Sequence, residues 1–432
     1  MKNLWILRGL KRTLCWFVLG AVGTCGLNAQ ETGGMRKWTS ADGKVIEAAF
    51  VGLEGESVKI KSSNGAAFVV PLSRLSAEDQ AWAKAAGEKT TPAAGVVATG
   101  QPVAEKVWPR SVGLDDKPEV VTVKEDAEKK EFVYRSPHYE FICDSKLGAN
   151  VVREFGRMFE ATYLLNCKLP LDLKPKPEPL REFFQARLYT NADDYFANGG
   201  AEGSAGVYSR GDKALKVPLK SLGVKMVGSR VSLDKTGDDD NATLIHEITH
   251  QMMNHWLRFL PTWYTEGSAE YAEILEYNTS GRFSLSGLRQ RLEDYTTRCN
   301  LWQTTPFKML DLKELMEIES AEWSAALVRP VQVANVTGAT QATQNYGSAG
   351  LLTYYFYHQD GNGDAANIIA YLRAIEAAGN EVDESALAKK HLLRDRTYEQ
   401  LAVDVKKGLK KEGIEVEFEG EMKNGGTSSA SN

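Results

Sequence analysis

Residues 244–253 read Leu-Ile-His-Glu-Ile-Thr-His-Gln-Met-Met, and whether this is a metal-binding helix or an ordinary one decides the fold to expect. Leu244, Ile248, Met252 and Trp256 recur every four residues, which predicts a helix with one buried stripe. His246 and His250 lie one turn apart on an adjacent face. That spacing lets two imidazoles meet one tetrahedral ion at about 2 Å. Glu247 sits roughly 100° around the axis from His246, near enough to serve a metal-held water without filling a ligand position. Upstream, Asp238, Asp239, Asp240 and Asn241 offer N-cap side chains and the negative charge that suits a helix N-terminus. A calcium site is the sharper alternative for the three aspartates. With six histidines in 432 residues, a chance His-Glu-x-x-His is expected in under about one such sequence in a hundred.

A third ligand must follow. Pro261-Thr262-Trp263-Tyr264-Thr265-Glu266-Gly267-Ser268-Ala269-Glu270 comes after a short connection, and Pro261 is well placed to start a second helix. Glu266 and Glu270 are four apart, so both carboxylates point the same way. Spacing alone leaves either as the ligand, with the other free to hydrogen-bond the far ring nitrogen of a ligating histidine. His255, one turn beyond His250, is either such a supporting group or a polar helix residue; His138, His358 and His391 have no motif around them.

The rest of the chain sets limits. A net charge of −5 and a pI near 5.9, with no basic stripe, argue against nucleic acid as a partner. Lys2, Arg8, Lys11 and Arg12 precede an apolar run from Leu14 to Val22, and Asn28-Ala29-Gln30 offers a small-residue cleavage site. That order reads as a secretory signal over residues 1–29, too short to span a bilayer, so export to the bacterial periplasm or beyond is expected, with no membrane span after cleavage. An uncleaved anchor is the alternative. Cys143, Cys167 and Cys299 remain, an odd number compatible with one disulfide and a buried thiol. No Cys-x-x-Cys occurs, which removes a cysteine-based zinc site.

Residues 35–85 read as a small β-rich module. Arg36-Lys37-Trp38-Thr39 leads into Asp42-Gly43; loosely alternating runs surround Asn64-Gly65, a hairpin signal; and Ser76 is placed to cap a short helix. Trp38–Thr39, Asp42-Gly43, Val70-Pro71-Leu72 and Leu75-Ser76-x-x-Asp79-Gln80 resemble the SH3-like Sla-type homology domain. The resemblance implies a binding or spacer module, with an envelope component as its ligand. Residues 86–125, rich in Ala, Gly, Pro, Thr and Lys, read as a linker, and 420–432 as a disordered tail. Between them, 126–419 alternates strands and helices before becoming mostly helical. Strands are expected at 130–134, 139–143 and 183–189, a helix at 150–165, and a hairpin over 205–218. Its Arg210-Gly211-Asp212 tip is better explained as a tight turn than as an adhesion motif.

His246-Glu247-x-x-His250 followed by Trp263-x-x-Glu266-Gly267-x-Ala269 resembles a gluzincin metallopeptidase of the peptidase MA-like kind. The resemblance implies an α+β zincin-like domain, a mixed sheet lobe on a helical lobe, with Zn2+ held by His246, His250 and Glu266. It implies Glu247 as general base and Glu270 as support for a ligand histidine. Asn345-Tyr346-Gly347-Ser348 resembles the tyrosine-led helix of aminopeptidase N-like gluzincins, which makes Tyr346 the candidate oxyanion donor; the alternative is an aromatic packed on the core. The 205–218 hairpin stands, by chain order, where such enzymes pair an edge strand with extended substrate. Departures limit the comparison. Neither Gly-x-Met-Glu-Asn nor the Lys-Gly that follows the tyrosine in those enzymes is present, and no thermolysin-type Asn-x-Phe-Trp strand occurs. The expected activity is hydrolysis of peptide or protein substrate. A non-catalytic envelope scaffold with a structural zinc site and a zinc hydrolase of cell-wall cross-links are the rivals.

Overall fold

Alternating residues after Val45 make strands, and the described structure bears this out in two separate units. The computed structural model describes residues 35–90 and 108–420, except 42, 55–56, 63–66, 172, 202–203, 228–229, 234–237, 301–304 and 332–339. One unit falls within Leu19–Glu105 and the other runs from Lys106 onward. The expected signal at 1–29, the Asn64-Gly65 turn and the tail beyond Gly420 lie outside the described residues, as do the side chains of Asp238, Asp239 and Asp240.

In the first unit, β1 (Arg36–Thr39), β2 (Val45–Glu54), β3 (Ser57–Ser62) and β4 (Ala67–Pro71) form an antiparallel sheet in that order. Helix α1 (Ala77–Thr90) follows and carries Trp82, edge-on to Trp38 and Phe50 at 5.6 and 5.4 Å. Among the described residues this is a four-stranded sheet with a 14-residue helix, the helix expected after Ser76 being present. Ser76 Oγ accepts from the Asp79 N–H at 3.2 Å, the cap its position predicted. Asp79, 4% exposed, accepts from the Thr39 N–H at 2.6 Å and pairs with Arg36.

The linker boundary moves. Residues 91–107 are outside the described set, but β5 (Ser111–Gly113) and β6 (Val121–Asp126) lie inside the expected linker and belong to the second unit. Buried Val112 and Val120 anchor them to its core, which a compositional reading of 86–125 overlooks.

The second unit is α+β. Strands β7 (Glu131–Arg135), β8 (Tyr139–Cys143), β9 (Phe184–Tyr189), β10 (Val207–Ser209) and β11 (Ala214–Pro218) join β6 in a mixed sheet ordered β10-β11-β9-β8-β7-β6. β8, β9 and β11 run parallel, and the other pairings are antiparallel. Helix α2 (Ala149–Lys168) makes the crossover between β8 and β9, as parallel strands require. Its Phe155 and Phe159 meet Phe141 of the sheet edge-on, at 5.3 and 5.1 Å. It ends at Leu169, where Pro170 disfavours a further helical residue. The short α3 (Ala192–Ala197) is capped by Asn191.

The hairpin β10–β11 is present, and its tip is a turn. Asp212 accepts from Ser209 Oγ at 3.1 Å and pairs with Lys216, while Arg181 donates to the carbonyls of Asp212 and Lys213. The Asp212 carboxylate is thereby tied into its own hairpin.

Beyond the two-stranded β12 (Val224–Val227) and β13 (Arg230–Leu233), helices dominate. Helix α4 (Asp238–Met252) carries the opening motif and stops one turn earlier than its stripe suggests. Leu244, Ile248 and Met252 are fully buried, whereas Trp256, 2% exposed, packs from the turns that follow. Helix α5 (Thr262–Ile274) starts after Pro261. Strand β14 (Glu276–Asn278) pairs with β15 (Arg282–Ser284), which pairs with β5, and α6 (Leu288–Cys299) follows. Helix α9 (Gln341–His358) comes after β16 (Phe307–Met309), α7 (Leu312–Glu317) and α8 (Ser320–Val328). It begins before Asn345, so Tyr346 lies inside it and not at its start, and Tyr354, Tyr355 and Tyr357 are all core residues.

Helices α5 and α9 pack through glycines. A Cβ on Gly267 would lie 2.3 Å from Thr353 Oγ1 and 2.4 Å from the Ala349 carbonyl oxygen. One on Gly350 would lie 2.5 Å from the Tyr295 hydroxyl. At Gly267 the two helices can approach this closely only without a side chain, and Gly350 leaves room for Tyr295 of α6 and for Glu270 of α5, whose Cβ would lie 3.1 Å from the added one. No disulfide joins Cys143, Cys167 and Cys299.

Candidate metal centre

Helix α4 projects His246 and His250 from one face, and α5 brings Glu266 against both. Glu266 Oε2 lies 3.4 Å from His246 Nε2 and 3.4 Å from His250 Nε2. All three residues are buried, at 2%, 7% and 1% exposure for His246, His250 and Glu266. Yet His246 Nε2 and Glu266 Oε2, both shut away from solvent, have no hydrogen-bond partner. Buried polar atoms left this way are costly, so they call for a ligand.

The distance indicates which kind. Two donors each about 2.0–2.1 Å from a shared tetrahedral ion stand about 3.3–3.4 Å apart. That is the spacing of Glu266 Oε2 from both imidazoles. Charge agrees. Glu266, Glu270 and Glu273 all face one or both of the two imidazoles within 3.4 Å. Burial opposes a charged His246, but Glu266, Glu270 and Glu273 together pull its pKa well above the ordinary value. Burial likewise opposes ionised Glu266, and His250 and His246 nevertheless hold it well below the usual carboxylate range. A cation would take over the compensating role that a proton on His246 fills without it. The donor set of two imidazole nitrogens and one carboxylate therefore fits a metal ion.

Behind the triad, His246 Nδ1 faces two carboxylates: Glu270 at 3.4 Å and Glu273 at 3.0 Å. Glu270 thus stands on the far side of the imidazole from Glu266, and the triad uses Glu266. Glu270 also accepts from the Tyr295 hydroxyl at 2.8 Å, and that hydroxyl lies 3.0 Å from the Tyr346 carbonyl oxygen. Tyr346 itself comes to the site: its ring centroid is 6.1 Å from that of His246, with Trp323 edge-on behind it at 5.2 Å. Glu247, 2% exposed, is held by the edge strand, where its Oε2 accepts from the Tyr208 N–H at 2.8 Å.

Glu273, Tyr295 and the Tyr208 N–H were not anticipated. Glu273 follows Glu270 by three residues on one helix, so extending the spacing count would have found it. Tyr295 sits in a charged helix with no motif, and a backbone N–H leaves no trace in sequence. His255 is not part of the centre: it contacts Asn254 and Trp256, and burial beside Lys176 lowers its pKa to about 4. Among the described residues, His246-His250-Glu266 and His246-Glu270-Glu273 are the only groups spaced to hold a metal, and they share one imidazole.

Residues 28–90 match the family described as SLA1 homology domain 1, SHD1. The Trp38, Asp79 and Ser76 contacts described above fall within that match. No peptidase family matches the remainder of the chain. A search of the curated proteins finds no match.

Proposed function

We propose that the second unit is a zinc-dependent peptidase that hydrolyses peptide bonds in extended peptide or protein substrate. The observation that supports this most is the paired 3.4 Å separation of Glu266 Oε2 from two imidazole nitrogens, with a separate carboxylate, Glu247, next to His246 in the same helix and held by the Tyr208 N–H. His246, His250 and Glu266 would hold zinc and leave a fourth position for the reacting groups. When bound, the ion supplies a Lewis acid that polarises the scissile carbonyl and acidifies water.

The chain's own residues do the rest. Glu247 accepts the proton of the attacking water as its oxygen bonds to the carbonyl carbon, then delivers that proton to the amine as the C–N bond breaks. Tyr346 would donate toward the oxygen that gains charge. Glu270 and Glu273 would orient His246 through Nδ1. A purely structural site would have no use for Glu247, which disfavours the scaffold reading; a hydrolase of cell-wall cross-links would use the same residues on a different amide. Export is proposed from the basic-apolar-small order of residues 1–29, and an envelope ligand for the SHD1 unit follows from that location.

Two measurements on purified protein test the reading: zinc per chain by elemental mass spectrometry, and hydrolysis of casein. About one zinc per chain is expected, retained in Glu247→Gln with hydrolysis reduced by on the order of 100-fold or more. Unchanged hydrolysis in that variant would remove Glu247 as the base. Absence of zinc after reconstitution would remove the metal.

A further inference from the structure

Strand β10 is the terminal strand of the six-stranded sheet, so among the described residues one of its edges carries no further strand. Its register against β11 pairs Val207 with Lys216, Tyr208 with Leu215 and Ser209 with Ala214. Successive residues of a strand direct their N–H and C=O groups to opposite edges. The Tyr208 N–H points away from β11, since it donates to Glu247 Oε2 at 2.8 Å. It is therefore the donor that an added strand would need at this point, and the candidate general base already occupies it.

We infer that Glu247 and an extended peptide compete for the Tyr208 N–H, so that pairing of the peptide with β10 releases the carboxylate toward the reacting centre. This rests on the peptidase reading for its purpose, but the competition is a binding equilibrium and stands or falls by itself. The partner is an unfolded or extended segment whose backbone carbonyl replaces the Glu247 oxygen. A folded surface or a small amide without a neighbouring carbonyl lacks the acceptor. The geometry gives the base a parked position in the free protein and makes its release depend on a substrate long enough to pair.

Competition has a thermodynamic signature that requires no turnover. In metal-free protein, where casein is bound without being cleaved, Glu247→Ala should bind casein about tenfold more tightly than the parent, because the occupant of the N–H is gone. A hydrogen bond to a charged group carries roughly that worth. Tyr208→Pro removes the donor for both partners. The outward-facing N–H makes proline tolerable in an edge strand, and Tyr208→Ala, which keeps the N–H, sets the reference for losing the ring. Relative to that reference, Tyr208→Pro should weaken casein binding, and adding Glu247→Ala to Tyr208→Pro should give no gain.

Equal or weaker binding by Glu247→Ala overturns the inference, as does a full gain in the Tyr208→Pro background. If Tyr208→Pro does not fold, the amide spectrum of protein labelled with 15N-tyrosine serves instead. The resonance that moves in Glu247→Gln must also move when casein is added, and one that ignores casein overturns the inference. Failure of the peptidase reading shows separately, as missing zinc or as hydrolysis that survives Glu247→Gln.

Discussion

Two buried glutamates in the second unit each face a histidine, and they are in opposite conditions. Glu160, in α2, accepts from Ser136 Oγ at 2.6 Å and from the His138 N–H at 2.9 Å, and meets His138 Nδ1 at 2.6 Å. Every contact is a short, aligned hydrogen bond, and the His138 ring lies flat on Tyr163 with centroids 3.8 Å apart. Glu266 is as deeply buried, but its imidazoles stand 3.4 Å away and its Oε2 has no hydrogen-bond partner. The same residue types make a closed group in one place and an open one in the other. Burial of a carboxylate beside a histidine is thus no sign of function; a ligand is signalled by burial without satisfaction, at a separation that suits an ion.

The sharpest way to break the comparison is to remove each glutamate and count metal. Glu266→Ala should leave almost no zinc after dialysis against a weak chelator, whereas Glu160→Ala should keep the stoichiometry of the parent. Equal retention in both would place the metal elsewhere. Next in size are the supporting carboxylates: Glu270→Ala and Glu273→Ala should each weaken zinc by about 10–100-fold, read by competition with a chromophoric chelator. A loss at Glu270 exceeding that at Glu266 would invert the ligand assignment.

Stability effects are smaller. Glu160→Ala strands the Ser136 hydroxyl and the His138 N–H, and should cost about 1–3 kcal/mol in denaturant unfolding. Gly267→Ala forces a methyl against Thr353 and the Ala349 carbonyl. It should cost a similar 1–3 kcal/mol while weakening zinc, because Glu266 is the neighbouring residue. A third histidine supplies the pH test. Burial pushes His358 down to about 3, and its Nε2 shares a hydrogen bond with the Tyr271 hydroxyl at 2.9 Å. Unfolded, it titrates near ~6.5, so the unfolded chain binds the extra proton. Its contribution is full above that value and is lost as pH falls toward 3, by up to about 1.4 kcal/mol per pH unit. Thermal melts between pH 7 and 5 should show this slope, and His358→Gln should flatten it; a slope of opposite sign would contradict a buried neutral ring.

What sequence could disclose follows the same division between local pattern and long-range placement. The helix period around Leu244 and Ile248 and the four-residue interval of the histidines are local, and so was the interval from Glu266 to Glu270. The choice between those two carboxylates was not local, since it depends on which side of the His246 ring α5 presents. Ser76 and Asp79 were readable because a cap and its N–H lie three residues apart. Strands β5 and β6 were not, because a run of Ala, Gly, Pro and Thr hides two short strands whose partners are far along the chain. Tyr346 was found through a motif but placed at a helix start, whereas Gln341 begins the helix without any capping side chain to mark it.

Gly267 and Gly350 have a mechanical consequence. Where two helices meet backbone to backbone, neither can slide or rotate without collision, so α5 and α9 behave as one stiff slab. Glu266, Glu270 and Glu273 ride on one half of that slab and Tyr346 on the other, and their mutual spacing is fixed before any ligand arrives. On the sheet side, β10, the strand that holds Glu247, has a neighbour on one edge alone among the described residues.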